Sequence, residues 1–330
     1  MRRFPLRPIL LAAALAGLAG CAVNPATGRT EFALIPVSNE EEIALGRKAF
    51  PQAVQQMGGA YPDERLEAYV NEVGLRLGRA SQRPDLPYQF RVINDSSPNA
   101  FALPGGFIAI TRGLLVNLEN EEQLAAVLGH EVGHVAARHS VQGIQRQTLL
   151  NLGLTVLSGV AGGTGYGTLV KEAGAVSAEL LERSYSRDQE RESDRLGIDY
   201  MVKAGYNPMG AVQVQEFFYR QLEGGAQPQW LSGLFRTHPF SKERLDSNAA
   251  YVRAAYPQAL AAPLRPEPLQ AVSSRLRATK KGYELFDQAV QAEGTGNVAQ
   301  ALALYQQAAA AAPDEALILT RLGMASLKAK

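Results

Sequence analysis

Residues 128–139 read LGHEVGHVAARH, with His130, Glu131 and His134 in the pattern His-Glu-x-x-His and a third histidine, His139, five positions later. Residues four apart on a helix sit about 40° apart around its axis, so His130 and His134 project from one face. Their imidazoles can meet a single metal ion, Zn²⁺ being the usual partner of such a pair. Glu131 neighbours the first histidine and can reach a water polarised by the metal instead of the metal itself. It can take that water's proton as the oxygen attacks a carbonyl, then pass it to the leaving amine. The preceding LAAVL is wholly apolar, which predicts a buried helix, where imidazoles and carboxylates need partners. A solvated helix face that merely matches the spacing is the competing reading.

A catalytic zinc takes three protein ligands and keeps one position open. His139 lies nine residues after His130, with Ala137 where a helix-breaking glycine would have to stand. If the helix continues, His139 points about half a turn away from His130 and is either a surface histidine or one that supports a ligand from behind. SYSRDQERESDRLGIDYM offers a better third ligand, since Glu190 and Asp194 are four apart on an expected helix. Glu190 can complete a two-histidine, one-glutamate site, and Asp194 can accept the free N–H of a ligating imidazole. Charge runs on helices are otherwise solvated faces; pairing with the histidine motif reverses that choice.

Together, His130-Glu131-x-x-His134 and Glu190-x-x-x-Asp194 resemble the gluzincins. SRDQERESD resembles the S-R-x-x-E-x-E-A-D block of peptidase family forty-eight, the group of the CAAX prenyl proteases and HtpX, with Ser193 for the usual alanine. NPATGRTEFALI, NAFALPGGFIAITRGLL and THPFSKERL resemble blocks of its periplasmic members, so the similarity runs over roughly residues 22–256. The resemblance implies a zinc endopeptidase with one Zn²⁺ per chain, whose substrates are unfolded or misassembled envelope proteins. It places His238 near the metal, where it either stabilises the tetrahedral oxyanion or fills the open position at rest, and makes Arg244 the arginine that follows this His-Pro loop. It also makes Gly106, Phe107, Ile108 and Ala109 the sheet edge on which an extended substrate adds as a strand, held by main-chain pairing. A plain core strand is the alternative there.

These residues need a scaffold. SNEEEIALGRKAFPQAVQQM opens on the capping-box pair Ser38 and Glu41, and PDERLEAYVNEVGLRLGRAS carries Leu66, Tyr69, Val70, Val73 and Leu77 at helical spacing. YQFRVIN (88–94) alternates like a strand, and NAFALPGGFIAIT (99–111) reads as two strands about a Pro-Gly-Gly turn. Asn120 is placed to cap the motif helix. Helical patterns dominate beyond it, so the expected fold is α+β: a mainly helical zincin-like domain (38–256) with a small sheet.

Residues 148–170 carry no charge, but six are glycines, which favours a segment that covers or lines a cleft over a membrane span. Four prolines in PQALAAPLRPEP begin a linker over 257–278. After it, Ala301, Tyr305, Ala308 and Pro313, then Leu319, Leu322 and Gly323, fit a partial tetratricopeptide repeat over 279–330, with an amphipathic hairpin as the plain alternative.

The N-terminus has Arg2, Arg3 and Arg7 before an apolar stretch and small residues, the grammar of a signal peptide over residues 1–20. Cys21, the only cysteine, resembles the lipidated first residue of a bacterial lipoprotein, followed by an extended leader to residue 37. A lone exported cysteine has no intramolecular disulfide partner, and lipid would hold the protein on a membrane surface; Ala22 leans the sorting toward the outer membrane. The balance of 33 basic against 32 acidic residues gives no sign of nucleic-acid binding. The expected function is periplasmic proteolysis, with outer-membrane assembly machinery as a partner for the repeat. A chaperone-like binding factor with a latent metal site is the alternative, and ligands alone do not exclude a zinc hydrolase of non-peptide substrates.

Overall fold

The computed structural model describes residues 21–24, 27–28, 30–32, 37–146, 184–222 and 231–329. The expected signal peptide and the uncharged segment 148–170 lie outside them. Cys21–Val23 (β1) pairs antiparallel with Thr30–Phe32 (β2). Asn39–Gln56 (α1) starts at Ser38, whose hydroxyl accepts from Glu41 N while Glu41 accepts from Ser38 N, so the expected capping box is present. Glu64–Ala80 (α2) buries Leu66, Val70, Val73 and Leu77, the stripe marked by its periodicity.

The sheet comprises Gln89–Ile93 (β3), Ala100–Leu103 (β4) and Phe107–Thr111 (β5), in the order β3-β5-β4. β5 runs parallel to β3 and antiparallel to β4. The β4–β5 turn needs glycine, because Gly105 and Gly106 adopt φ of 79° and 96°. This order corrects the expectation that Gly106, Phe107, Ile108 and Ala109 form a sheet edge. Ile108 is partnered by Phe90 on one side and Ala102 on the other, and every residue of β5 is buried. A strand paired on both sides has no backbone groups left for a substrate.

After the single turn Arg112–Leu115 (α3), Glu121–Ala136 (α4) runs beneath the sheet with Asn120 as its N-cap, accepting from Gln123 N. Arg187–Lys203 (α5), begun by a Ser186–Gln189 capping box, crosses α4. Gly129 and Gly133 of α4 face Gly197 and Ser193 of α5 at backbone distance, so the two helices approach as closely as glycine permits. Met209–Leu222 (α6), Ser232–Thr237 (α7) and Lys242–Ala255 (α8) complete this body.

Beyond it, Pro266–Val272 (α9) and Ser274–Ala278 (α10) occupy the span read as a linker. They bury Leu269 and Leu276, and Arg277 donates to Leu118 O. The prolines therefore start a docked helix, Pro266 at its first position, and do not mark a free tether. Lys280–Gly294 (α11), Val298–Ala311 (α12) and Ala316–Lys328 (α13) follow as packed helices, burying Ala301, Tyr305 and Ala308. The repeat and the plain hairpin both require such an arrangement. The Arg112 guanidinium, stacked 3.4 Å from the Tyr283 ring, and the Ser96–Asp287 hydrogen bond tie α11 to the body.

No helix among the described residues is long and apolar enough to cross a membrane.

Candidate metal centre and active site

α4 and α5 bring together side chains 60 residues apart in sequence. His130 and His134 stand on successive turns of α4, with Nε2 atoms 3.0 Å apart. Glu190, in the first turn of α5, places Oε1 3.3 Å from His134 Nε2 and Oε2 3.5 Å from His130 Nε2. His238, at the end of α7, contributes Nδ1 at 3.1 Å from Glu190 Oε1 and 3.3 Å from His130 Nε2. One ligand atom from each of these four residues lies within 4.8 Å of every other. The expected trio and the His-Pro loop thus converge on one point.

Behind the imidazoles stand polar supports. His130 Nδ1 lies 3.0 Å from Asp194 Oδ1. Arg244 grips Asp194 through Nε and Nη2, both at 2.8 Å, while Nη1 forms an ion pair with Glu190 Oε2 at 2.7 Å. Pro239 O accepts from the same Nη1. Arg244 is 4% exposed, so its charge offsets two buried carboxylates where water cannot.

His139 takes the second of its two expected places, behind a ligand. α4 stops at Ala136, and Arg138 takes the left-handed conformation at φ 57°, so the helix does not continue. His139 is turned back into the protein, fully buried, with Nδ1 2.8 Å from His134 Nδ1. It is not a surface histidine, and it stands outside the metal-facing group.

Burial and charge divide the protons of the site. Burial opposes charge on His130, but Glu190 and Asp194 outweigh it and raise that imidazole to about 10. Burial holds His134 well below the usual histidine range. Glu190 is held well below the carboxylate range despite its burial, by His238 and His130. Asp194 is likewise lowered against burial, chiefly by Arg244. Glu131 goes the other way, raised by burial, which suits a group that must take up a proton.

The donor set fits a cation. Asp194 takes up Nδ1 of His130 and His139 faces Nδ1 of His134, so both Nε2 atoms turn toward each other and toward Glu190. Lone pairs converging at 3.0 Å repel unless a positive charge sits between them. Glu131 Oε2 and His238 Nε2 are buried with no hydrogen-bond partner among the described residues, available to a ligand or water at the site. The set of two imidazoles and a carboxylate matches the ligand chemistry of zinc.

The site opens on a cleft walled by Val127, Val214, Phe218, Leu234 and Phe240. Ala100 of β4 also lines it. Thr111 N donates to Asn99 O, so in this antiparallel register Ala100 and Ala102 turn their backbone groups away from β5. Ser140 Oγ already donates to Ala102 O. The sheet edge nearest the site is therefore β4.

Two neighbours were not marked by sequence reasoning. Tyr185 stacks on His134 with ring centroids 3.7 Å apart, and Glu192 Oε2 lies 3.0 Å from His139 Nε2. Tyr185 precedes a helix cap and carries no local signal. Glu192 was legible only as one more acid in a charged run.

Several known proteins are similar to this chain in sequence. The beta-barrel assembly-enhancing protease of Escherichia coli is 29% identical over 202 residues, covering 58% of this chain and 40% of its own. The protein of that name from Yersinia pestis is 31% identical over 226 residues, covering 63% and 43%. The mitochondrial metalloendopeptidase OMA1 of Schizosaccharomyces pombe is 29% identical over 231 residues, covering 66% and 65%. The chain spans about half the length of the bacterial relatives it matches. A model of peptidase family M48 matches residues 64–250, more than half of the 330 residues and a span that holds all four metal-facing side chains. The chain belongs to peptidase family M48.

Proposed function

We propose that this chain is a zinc-dependent endopeptidase of the bacterial envelope that cuts unfolded or misassembled proteins. The observation that carries the reading is the convergence of His130, His134 and Glu190 beside a buried Glu131 whose Oε2 has no hydrogen-bond partner among the described residues. His130, His134 and Glu190 hold the ion, and Asp194 orients His130. When bound, zinc supplies the Lewis acidity that polarises a peptide carbonyl and a water. Glu131 takes that water's proton on Oε2 and delivers it to the leaving nitrogen, for which its raised pKa suits it. The apolar cleft walls exclude bulk water, and the outward backbone groups of Ala100 suit an extended substrate pairing along β4. Of the two roles open to His238, its Nδ1 among the metal-facing atoms favours occupancy of the fourth ligand position at rest. Arg244 balances the charges of Glu190 and Asp194.

The location rests on sequence: a signal-like N-terminus followed by Cys21 supports lipid anchoring in the periplasm, with the outer membrane as the favoured side. Two bacterial relatives are named for enhancing beta-barrel assembly, which supports outer-membrane assembly machinery as a partner. A second reading, a binding factor with a latent metal site, draws on the exposed Leu319, Met324 and Leu327 of α13, a surface suited to a protein partner.

Cleavage of unfolded casein by the full chain separates them. A zinc peptidase loses cleavage with a chelator, regains it with zinc, and lacks it in Glu131→Gln. If neither the wild type nor His238→Ala cuts casein at one bound zinc per chain, the peptidase reading fails and the binding reading stands.

A further inference from the structure

Each ligand imidazole of α4 must present Nε2 as a lone pair, which requires a proton on Nδ1 and an acceptor for it. For His130 the acceptor is Asp194 at 3.0 Å. Among the described residues no carboxylate touches His134 Nδ1; its neighbour at 2.8 Å is another histidine, His139. His139 Nε2 in turn lies 3.0 Å from Glu192 Oε2.

We propose that Glu192 and His139 form a positioning relay that fixes the tautomer and orientation of His134 for metal binding. The inference rests on the zinc reading above and deepens it. A carboxylate oxygen accepts, so the 3.0 Å contact with Glu192 Oε2 draws the His139 proton to Nε2. His139 Nδ1 is then an acceptor, and His134 Nδ1–H donates to it. That leaves the lone pair of His134 Nε2 turned to Glu190 and His130. The reverse tautomer of His139 would set N–H against Nδ1 of His134, place the His134 proton on Nε2, and close that ligand position to a cation. Ser193 Oγ, 3.3 Å from His139 Nδ1, can add a weaker hydrogen bond without changing this direction. Three acids spaced two apart on α5 therefore divide the work: Glu190 faces the metal, Asp194 orients His130 directly, and Glu192 orients His134 through His139.

The backbone is arranged to deliver this histidine. α4 ends one turn too early to carry His139 onward, and Arg138 adopts φ 57°, a left-handed conformation unusual for a residue with a side chain. Arg138 is held there by an ion pair to Glu42 at 3.2 Å and a hydrogen bond to Val37 O. Tyr185 stacks on the opposite partner of the pair, His134, so the ring is clamped in plane as well as oriented at its edge. His139 is fully buried, and the Glu192 side chain is 12% exposed.

Outer partners of this kind change metal affinity by about 10–100-fold. The test is zinc affinity of the full chain, measured by competition with a chromogenic chelator, with the cobalt-loaded visible spectrum as a second readout. His139→Leu removes both hydrogen bonds and is expected to weaken zinc by about 10–100-fold and shift the cobalt bands. His139→Gln restores most of the affinity, because its carbonyl can accept from His134 and its amide can donate to Glu192. Glu192→Ala, at a partly exposed position that folding tolerates better, weakens zinc on its own but has no further effect in the His139→Leu chain. Should His139→Leu fail to fold, Glu192→Ala with and without His139→Gln decides the matter: the proposal requires weaker zinc binding in the first, less so with the glutamine. Unchanged zinc affinity in folded His139→Leu and Glu192→Ala, or full additivity of the two, overturns it. A wild-type chain that binds no zinc overturns the metallopeptidase reading together with the relay; tight zinc binding indifferent to these substitutions overturns the relay alone.

Discussion

Gly197→Ala should separate the two halves of the metal site. A Cβ built on Gly197 would stand 2.9 Å from Gly129 C and 2.9 Å from His130 N, with Gly129 O at 3.0 Å. All three are backbone atoms of α4, so no side-chain rotation relieves the contact, and α5 must move off by about 0.5 Å to restore an ordinary 3.4 Å separation. α5 carries Glu190, and ligand distances in a metal site tolerate about 0.2 Å. The displacement exceeds that tolerance, so zinc affinity should fall at least tenfold, in line with the cost of disturbing ligand positions. Overpacking costs about 1–3 kcal/mol, offset by about 1 kcal/mol for replacing a glycine inside a helix. A net loss of about 0–2 kcal/mol lowers Tm by up to several degrees in a protein of this size. Circular dichroism melting and chelator competition measure the two effects. Gly323→Ala on α13 is the control, since its Cβ would meet nothing within 4 Å. A Gly197→Ala chain with wild-type Tm and wild-type zinc affinity would refute the idea that glycine-limited helix contact sets the ligand geometry.

Arg244→Leu leaves Asp194 and Glu190 buried without their cation and should cost about 3–5 kcal/mol in urea unfolding; Arg244→Lys should recover only part, because an ammonium lacks the fork that grips Asp194 twice. Burial raises the carboxyl of Asp287, at the contact of α11 with the body. Its charge is therefore less favourable folded than unfolded and subtracts stability above its folded pKa, a penalty that fades as pH falls and both states protonate. Asp287→Asn should raise Tm near pH 8, with the gain vanishing toward pH 3, while its carbonyl still accepts from Ser96; a gain that grows in acid would reverse the sign. Zinc at about 100 times its dissociation constant should stabilise the chain by about 2.7 kcal/mol, so a chelator should lower the melting temperature of wild type but not of His134→Ala.

How far the site was legible follows from the range of each signal. His130, Glu131 and His134 are set by one helical turn, and Glu190 and Asp194 by another, so spacing alone aligned each pair. The caps at Ser38 and Asn120 are local hydrogen bonds and were legible for the same reason. Strand order is not local: an apolar run reads alike at the edge or the centre of a sheet, and β5 pairs with both neighbours, which leaves β4 and not β5 at an edge. His139 turned on a single backbone angle at Arg138, where no glycine announced a break. The prolines of 257–268 suggested a tether, yet apolar Leu269 and Leu276 beyond them found a docking surface. Tertiary packing decided both outcomes.

Anomalous scattering at the zinc edge from crystals of the zinc-loaded full chain tests the central claim most directly. One zinc per chain, ligated by His130, His134 and Glu190 with His238 at the fourth position and Glu131 beside but not on the metal, is the predicted result. Zinc bound through other residues, through Glu131 itself, or absent from crystals grown in its excess would contradict it.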